Sequence, residues 1–153
     1  MAAKSRFNRS FVYDPALELW KGRRRVRWWG LRRLEVWVLA GAEGPSQRQL
    51  DCLDAITAYR GNLIREFEAR VYAYYTDNYE GFEGVPKLTS SSRVWESLGL
   101  ATLVVLPSTQ DAVEFLLIME CTWDREHGLG VRWKNWSIVD IGGQSDVSYE
   151  ESC

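Results

Sequence analysis

The sequence predicts an α+β fold: an antiparallel sheet of about six to seven strands, with one long helix packed on a face and one short helix. Three observations predict it. Apolar residues alternate with a period of two near both ends of the chain, the only long stretch of helical periodicity lies between them, and strands segregated from helices in this way argue against an alternating parallel sheet. At 153 residues the chain fits a single domain able to bury a core without disulfide or metal staples. That core is expected over about 11–143, with a flexible tail at 144–153.

Phe11 and Tyr13 followed by Asp14-Pro15 read as a short strand closed by a turn, because proline restricts its predecessor and starts turns. Val26 and Trp28 then alternate with Arg25 and Arg27, Gly30 interrupts, and Leu34, Val36 and Val38 alternate with Glu35, Trp37 and Leu39. This is a second hairpin whose arginines are expected on the solvent face. Ser46 with Gln49 three residues on is a capping-box pattern that opens the long helix. Leu50, Leu53, Ile56, Leu63, Ile64, Phe67, Val71 and Tyr74 share one stripe at helical spacing, with Gly61 as the place for a kink or break. Residues 92–99 read as the short helix, capped by Ser92 and stopped by Gly99. An apolar run over 100–106, ended by Pro107, is a strand.

The pattern is clearest at the C-terminal end. Val113, Phe115, Leu117, Met119, Cys121 and Trp123 alternate with Glu114, Leu116, Ile118, Glu120 and Thr122, and both sets are apolar in the middle. Such a strand belongs inside a sheet covered on each side. Leu129, Val131 and Trp133 alternate with Gly130, Arg132 and Lys134 on a returning strand with one buried and one wet face. Between them, residues 124–128 form a turn in which Asp124 accepts backbone amides and Gly128 and Gly130 supply positive backbone angles. Trp123 covers that turn from the core side. Residues 136–141 give a last strand.

Composition bounds the function classes. No apolar run approaches the ~18 residues needed to span a bilayer, and the basic start leads into no secretory apolar segment. The three cysteines have neither metal spacing nor an even count, so a reduced, cytoplasmic setting is expected without a disulfide framework or cofactor. The net charge of −2 conceals an asymmetry, +8 over 1–33 against −10 over the remainder. Such a split suits a charged partner or a homodimer in which the basic half faces the acidic half of a second copy.

Three function classes follow. Lys21, Arg23, Arg24, Arg25, Arg27, Arg32 and Arg33 interleave with Trp20, Trp28 and Trp29, the combination by which nucleic acid is held at phosphates and stacked at bases. Asp124, Glu126 and His127 could serve a metal-dependent or acid–base enzyme, although His127 is the sole histidine and no glycine-flanked nucleophile turn is present. The favoured expectation is a protein-binding protein without catalytic residues. Tryptophan and arginine most often dominate interface energy, so Arg23, Arg25, Arg27 and Trp29, then Trp136, are the expected contacts.

The string W-D-R-E-H-G-L-G-V-R-W at 123–133, with the trailing W-S-I-V-D-I-G-G at 136–143, resembles an uncharacterised bacterial domain family whose C-terminal hairpin carries W-D-x-E-H-G-L-G-V. Trp123, Asp124, Glu126, His127, Gly128 and Gly130 are the matching positions. The resemblance implies an immunity or accessory protein of a polymorphic toxin system and brings no catalytic residues. Where that family has Asp-Gly or Asn-Gly in the last hairpin, this chain has Asn135-Trp136. Tryptophan tolerates positive backbone angles poorly, so either the turn is of another type or Trp136 is held by packing or a partner.

Overall fold

A computed structural model describes residues 7–29, 33–107 and 111–148. Seven strands form one sheet in chain order: β1 Val12–Asp14, β2 Leu19–Arg25, β3 Arg33–Val38, β4 Thr102–Val105, β5 Glu114–Met119, β6 Leu129–Lys134 and β7 Ser137–Gly142. Every neighbouring pair is antiparallel except β3–β4, which is parallel. A parallel pair needs a crossover connection, and the helices supply it. They are α1, Gln47–Ala58, and α2, Ile64–Asn78, which lie over one face of the sheet.

The expected single long helix is thus two. The capping box forms: Gln49 donates its amide to Ser46 Oγ at 3.1 Å and Ser46 donates its own to Gln49 Oε1 at 3.0 Å. The break falls where Tyr59 turns extended, with φ −64° and ψ 132°, and Asn62 Oδ1 accepts from the Ile64 amide to restart the helix at 3.1 Å. Gly61 leaves room at the break for the Tyr59 ring. A Cβ there would stand 2.3 Å from Tyr59 Oη, because the Tyr59 ring folds back to stack on Trp136, with centroids 3.8 Å apart. Leu50, Leu53, Ile56, Leu63, Phe67, Val71 and Tyr75 are buried against Val36, Leu103, Phe115, Leu117, Val131 and Trp133. Tyr75, rather than Tyr74, ends the buried stripe.

Other expectations change on contact with the tertiary structure. Val26 and Trp28 are buried as predicted, yet they lie in a loop with a 3-10 turn at Arg27–Trp29 rather than in a strand. Gly30 and Arg32 fall outside the described residues. The short helix is a 3-10 helix at Ser91–Ser97, preceded by Ser90. The run beginning at Leu100 becomes strand only at Thr102, which leaves Leu100 92% exposed.

The returning strand has no wet face over Gly130 and Arg132. Residues 144–148, read from the sequence as tail, form helix α3, Gln144–Ser148, which lies on the second face of the sheet with Val147 fully buried. The remaining tail, 149–153, lies outside the described residues. Gly130 has no positive φ. It is small because a Cβ would stand 2.3 Å from Val147 Cγ2, and the positive φ belongs to Gly128, at 66°. Arg132, 6% exposed, donates to Glu114 and to the Val147 carbonyl, joining β6, β5 and α3.

The β6–β7 turn has positive φ at both central residues, 49° at Asn135 and 72° at Trp136. It is therefore of the usual hairpin kind after all. Trp136 is held there by its stack on Tyr59, and Asn135 by exchanging bonds with Val113, whose carbonyl accepts from the Asn135 amide.

Two outcomes follow. Replacing Trp136 by Ala removes the stack and retains the strained φ, costing about 2 kcal/mol in chemical denaturation. Trp136→Gly should cost roughly 1 kcal/mol less, inverting the usual order of Ala and Gly in a sheet; the usual order would show that φ exacts no penalty. Glu114→Ala leaves a buried guanidinium unpaired and should destabilise by about 3 kcal/mol in the same assay.

Candidate functional site

Two regions carry the residues singled out by sequence. The first is the 120–128 connection between β5 and β6. Asp124 shapes it: the His127 amide donates to Asp124 Oδ1 at 3.2 Å, the Gly128 amide to the Asp124 carbonyl at 2.9 Å, and His127 Nδ1 lies 3.1 Å from both carboxylate oxygens. Tyr79, just past the end of α2, donates its hydroxyl to Asp124 Oδ2 at 2.9 Å and lies 3.4 Å from the Tyr74 hydroxyl. Trp123 packs beneath on Tyr75 and Tyr79 at 5.3 and 6.2 Å between ring centroids. The turn thus ties the sheet to α2, and through the Gln144 amide bonded to the His127 carbonyl it also positions α3.

Partial burial pulls Asp124 upward, but bonds from the His127 amide, the Tyr79 hydroxyl and the His127 ring outweigh it and hold the carboxyl below its usual range. The hydrogen bond to Asp124 and that carboxylate's charge raise His127, assisted by Glu126 and Asp146. Burial, the Tyr74 hydroxyl and Asp124 push Tyr79 up, keeping it a protonated donor. Glu126 is exposed and adds its charge to the raising of His127. Among the described residues, no three His, Cys, Asp or Glu side chains gather as a metal site would require. Cys121, beside the turn, is raised to about 11 by burial, so its thiol stays protonated at neutral pH.

A cleft between α1 and the β4–β5 connection, lined by Arg48, Asp51, Cys52, Leu106, Val113 and Glu114 among others, holds about 290 Å³. Burial also raises the Cys52 thiol, which donates to the Glu114 carbonyl. The charge of Glu114 raises it further.

The second region is the β2–β3 hairpin. Cross-strand pairing sets Arg23 opposite Glu35, and Arg25 opposite Arg33. Since Leu34, Val36 and Val38 face the helices, Arg23, Arg25 and Arg33 with Lys21 and Trp37 occupy the opposite face. Lys21 is paired with Asp14 at 3.3 Å and lies over the Trp37 ring, and Glu35 accepts from Trp37 Nε1. Arg23, Arg25, Arg27 and Arg33 are exposed and have no ion pair among the described residues. Arg24, by contrast, turns to the helical face, where its guanidinium covers Phe11 at 4.6 Å.

Of the tryptophans expected beside these arginines, Trp28 and Trp29 are buried, and Trp20 and Trp136 are half-buried. Trp29 is 8% exposed and packs edge-on to Phe67 and Trp95; Trp28 is buried and donates to the Ile56 carbonyl. Trp20 donates to the Gly41 carbonyl. Trp136 is half-buried on Tyr59, on the helical side of the sheet. Sequence reasoning placed Arg33 among the basic residues of a nucleic-acid stretch but left it out of the expected protein contacts, although its place two residues before Glu35 in the same alternation puts it on the face of Arg23 and Arg25.

A family model described as a domain of unknown function (DUF6985) matches residues 9–148. No protein of curated function and no solved structure matches the chain.

The Asp124–His127 pair makes stability depend on pH with a defined sign. Asp124, lowered in the folded state, contributes above its ordinary value near 4, and that contribution is lost as pH falls through the folded value. His127, raised, contributes below its ordinary value of 6.5, and that contribution is lost as pH rises through the folded value. The difference in melting temperature between the wild type and His127→Gln should therefore be largest between about pH 4 and 6.5 and shrink on either side. A difference independent of pH would show that the two side chains do not act together.

Proposed function

We propose that this chain, which belongs to the DUF6985 family, is a protein-binding protein without catalytic chemistry of its own, and that its contact surface is the outer face of the β2–β3 hairpin. One observation carries the reading. Three exposed arginines, Arg23, Arg25 and Arg33, share a sheet face, and two of them stand directly opposite each other without an acid between them. Like charges so placed destabilise the free hairpin by about 0.2–1 kcal/mol. A partner bearing carboxylates removes that penalty and gains charge-assisted hydrogen bonds from planar guanidinium groups.

Binding by occlusion requires complementarity and no reactive group, which agrees with the protonated thiols of Cys52 and Cys121 and with a histidine occupied by Asp124. The resemblance of the C-terminal hairpin to immunity and accessory proteins of bacterial toxin systems supports the same class. Nucleic acid is the weaker reading, because base stacking needs open aromatic faces and Trp28 and Trp29 are buried.

Capture on the tagged chain from lysate of its source cells at physiological salt, with protein and nucleic acid both assayed, is the test. A stoichiometric protein retained by the wild type and lost by Arg23→Glu/Arg25→Glu is expected, with the variant melting no lower than the wild type. Retention of the same protein by the variant removes this face from the reading. Nucleic acid eluting as salt rises would replace it with the second.

A further inference from the structure

We infer that the partner of the arginine face is a second copy of this chain, which docks its 80–84 loop there with Phe82 at the tip. The inference rests on the reading of the arginine face as a binding surface, and adds to it the identity of the occupant.

Phe82 is 64% exposed, in the stretch Glu80-Gly81-Phe82-Glu83-Gly84. Successive turns hold it out: the Phe82 amide donates to the Tyr79 carbonyl and the Val85 amide to the Phe82 carbonyl, both at 3.1 Å. Gly81 and Gly84, on either side, take positive φ values of 86° and 80°. A lone exposed aromatic is ordinary, but this one is set between carboxylates. Glu80, Glu83 and, near the end of α2, Asp77 are exposed and have no ion pair among the described residues. Lys87 is the nearest cation along the chain. The 124–128 turn, tied to Tyr79, adds Asp124 and Glu126 against Arg125 and His127, so this end of the molecule stays acidic.

The arginine face offers the complement. On it β3 presents Arg33, Glu35 and Trp37, and β2 presents Arg25, Arg23 and Lys21 as their register partners. The acids beside them are already engaged: Glu35 accepts from Trp37 Nε1, and Asp14 pairs with Lys21. Guanidinium groups bind carboxylates in bidentate fashion and also stack on aromatic faces. A phenyl ring between carboxylates therefore engages them in both ways, and the half-buried Trp37 extends the apolar contact.

The two surfaces do not meet within one copy. Tyr79 and Val85, which bracket the loop, pack against the core under the helices, whereas the arginines lie on the other side of the sheet. Each copy offers its loop to one neighbour and its arginines to another, a head-to-tail contact that grows unless it closes into a ring. Charge favours a second copy as occupant: with +8 over 1–33 and −10 over the remainder, this contact sets unlike halves against each other with no other molecule required.

Sedimentation velocity on the full chain tests this. At low salt and about 100 μM, the wild type is expected to form species larger than a dimer that dissociate as salt is raised. Phe82→Ser and Arg23→Glu/Arg25→Glu, all at exposed positions and melting as the wild type does, should each be monomeric alone. Mixed in equal amounts they should form a dimer and nothing larger, because the loop of one meets the arginines of the other and no further contact remains. A wild type that stays monomeric to about 1 mM, where even millimolar affinity would register, overturns the inference; a foreign protein held in the capture experiment would then leave the arginine face standing as a binding surface. Association that survives Phe82→Ser overturns the part of the loop. Variants that remain monomeric when mixed overturn the pairing of loop with arginines, and assemblies lost on nuclease treatment overturn the inference in favour of nucleic acid.

Discussion

Arg132 is a charge buried on β6, beside the edge strand β7, and its neutralisation organises the second face of the molecule. A guanidinium with 6% exposure is tolerable only if its donors are used. Glu114 on β5 takes two of them and the Val147 carbonyl at the end of α3 takes a third. That geometry brings Val147 over Gly130 and closes a small apolar cluster of Val104, Leu106, Leu116 and Val147. The central strands are thereby covered on both faces, by α1 and α2 on one side and by five residues of α3 on the other. Lys21, Arg23, Arg25 and Arg33, on β2 and β3, lie at the other end of the same face.

The exposed edges of the sheet are handled locally. β1 is only three residues long, which offers little to pair with. The longer edge, β7, is blocked near its start by α2: the Ile138 amide donates to Glu66 Oε2 at 3.1 Å and its carbonyl accepts from Arg70 Nη1 at 3.3 Å. On the exposed side of β2–β3, Arg25 and Arg33 stand opposite each other as like charges, an arrangement that costs the free hairpin stability.

The 120–128 turn illustrates how a distinctive motif can be structural. Its Asp, His and Gly are those a reader would assign to a metal or a proton relay, yet each has a role in the packing: Asp124 closes the turn and receives Tyr79, His127 braces that carboxylate, and Gly128 takes the positive φ. The aromatic layer of Trp123, Tyr75 and Tyr79 then fixes the turn to α2.

Local pattern was enough for the fold class, the alternation of β3 and β5, the Ser46–Gln49 capping box and the Asp124-closed turn, because each depends on residues near one another in sequence and on a fixed backbone period. The tertiary structure alone decided what covers each face. Period two showed that Arg132 and Gly130 share a side, but only the return of α3 made that side buried; the mixed composition of 144–148 holds no sign of its docking site. The same holds for Trp29, which looks like an exposed neighbour of the arginines until Phe67 and Trp95, distant in sequence, enclose it. It holds too for the helix break, set by Tyr59 reaching Trp136 far along the chain. Which arginines remain unpaired is likewise a property of strand register, and register joins residues that no local window contains.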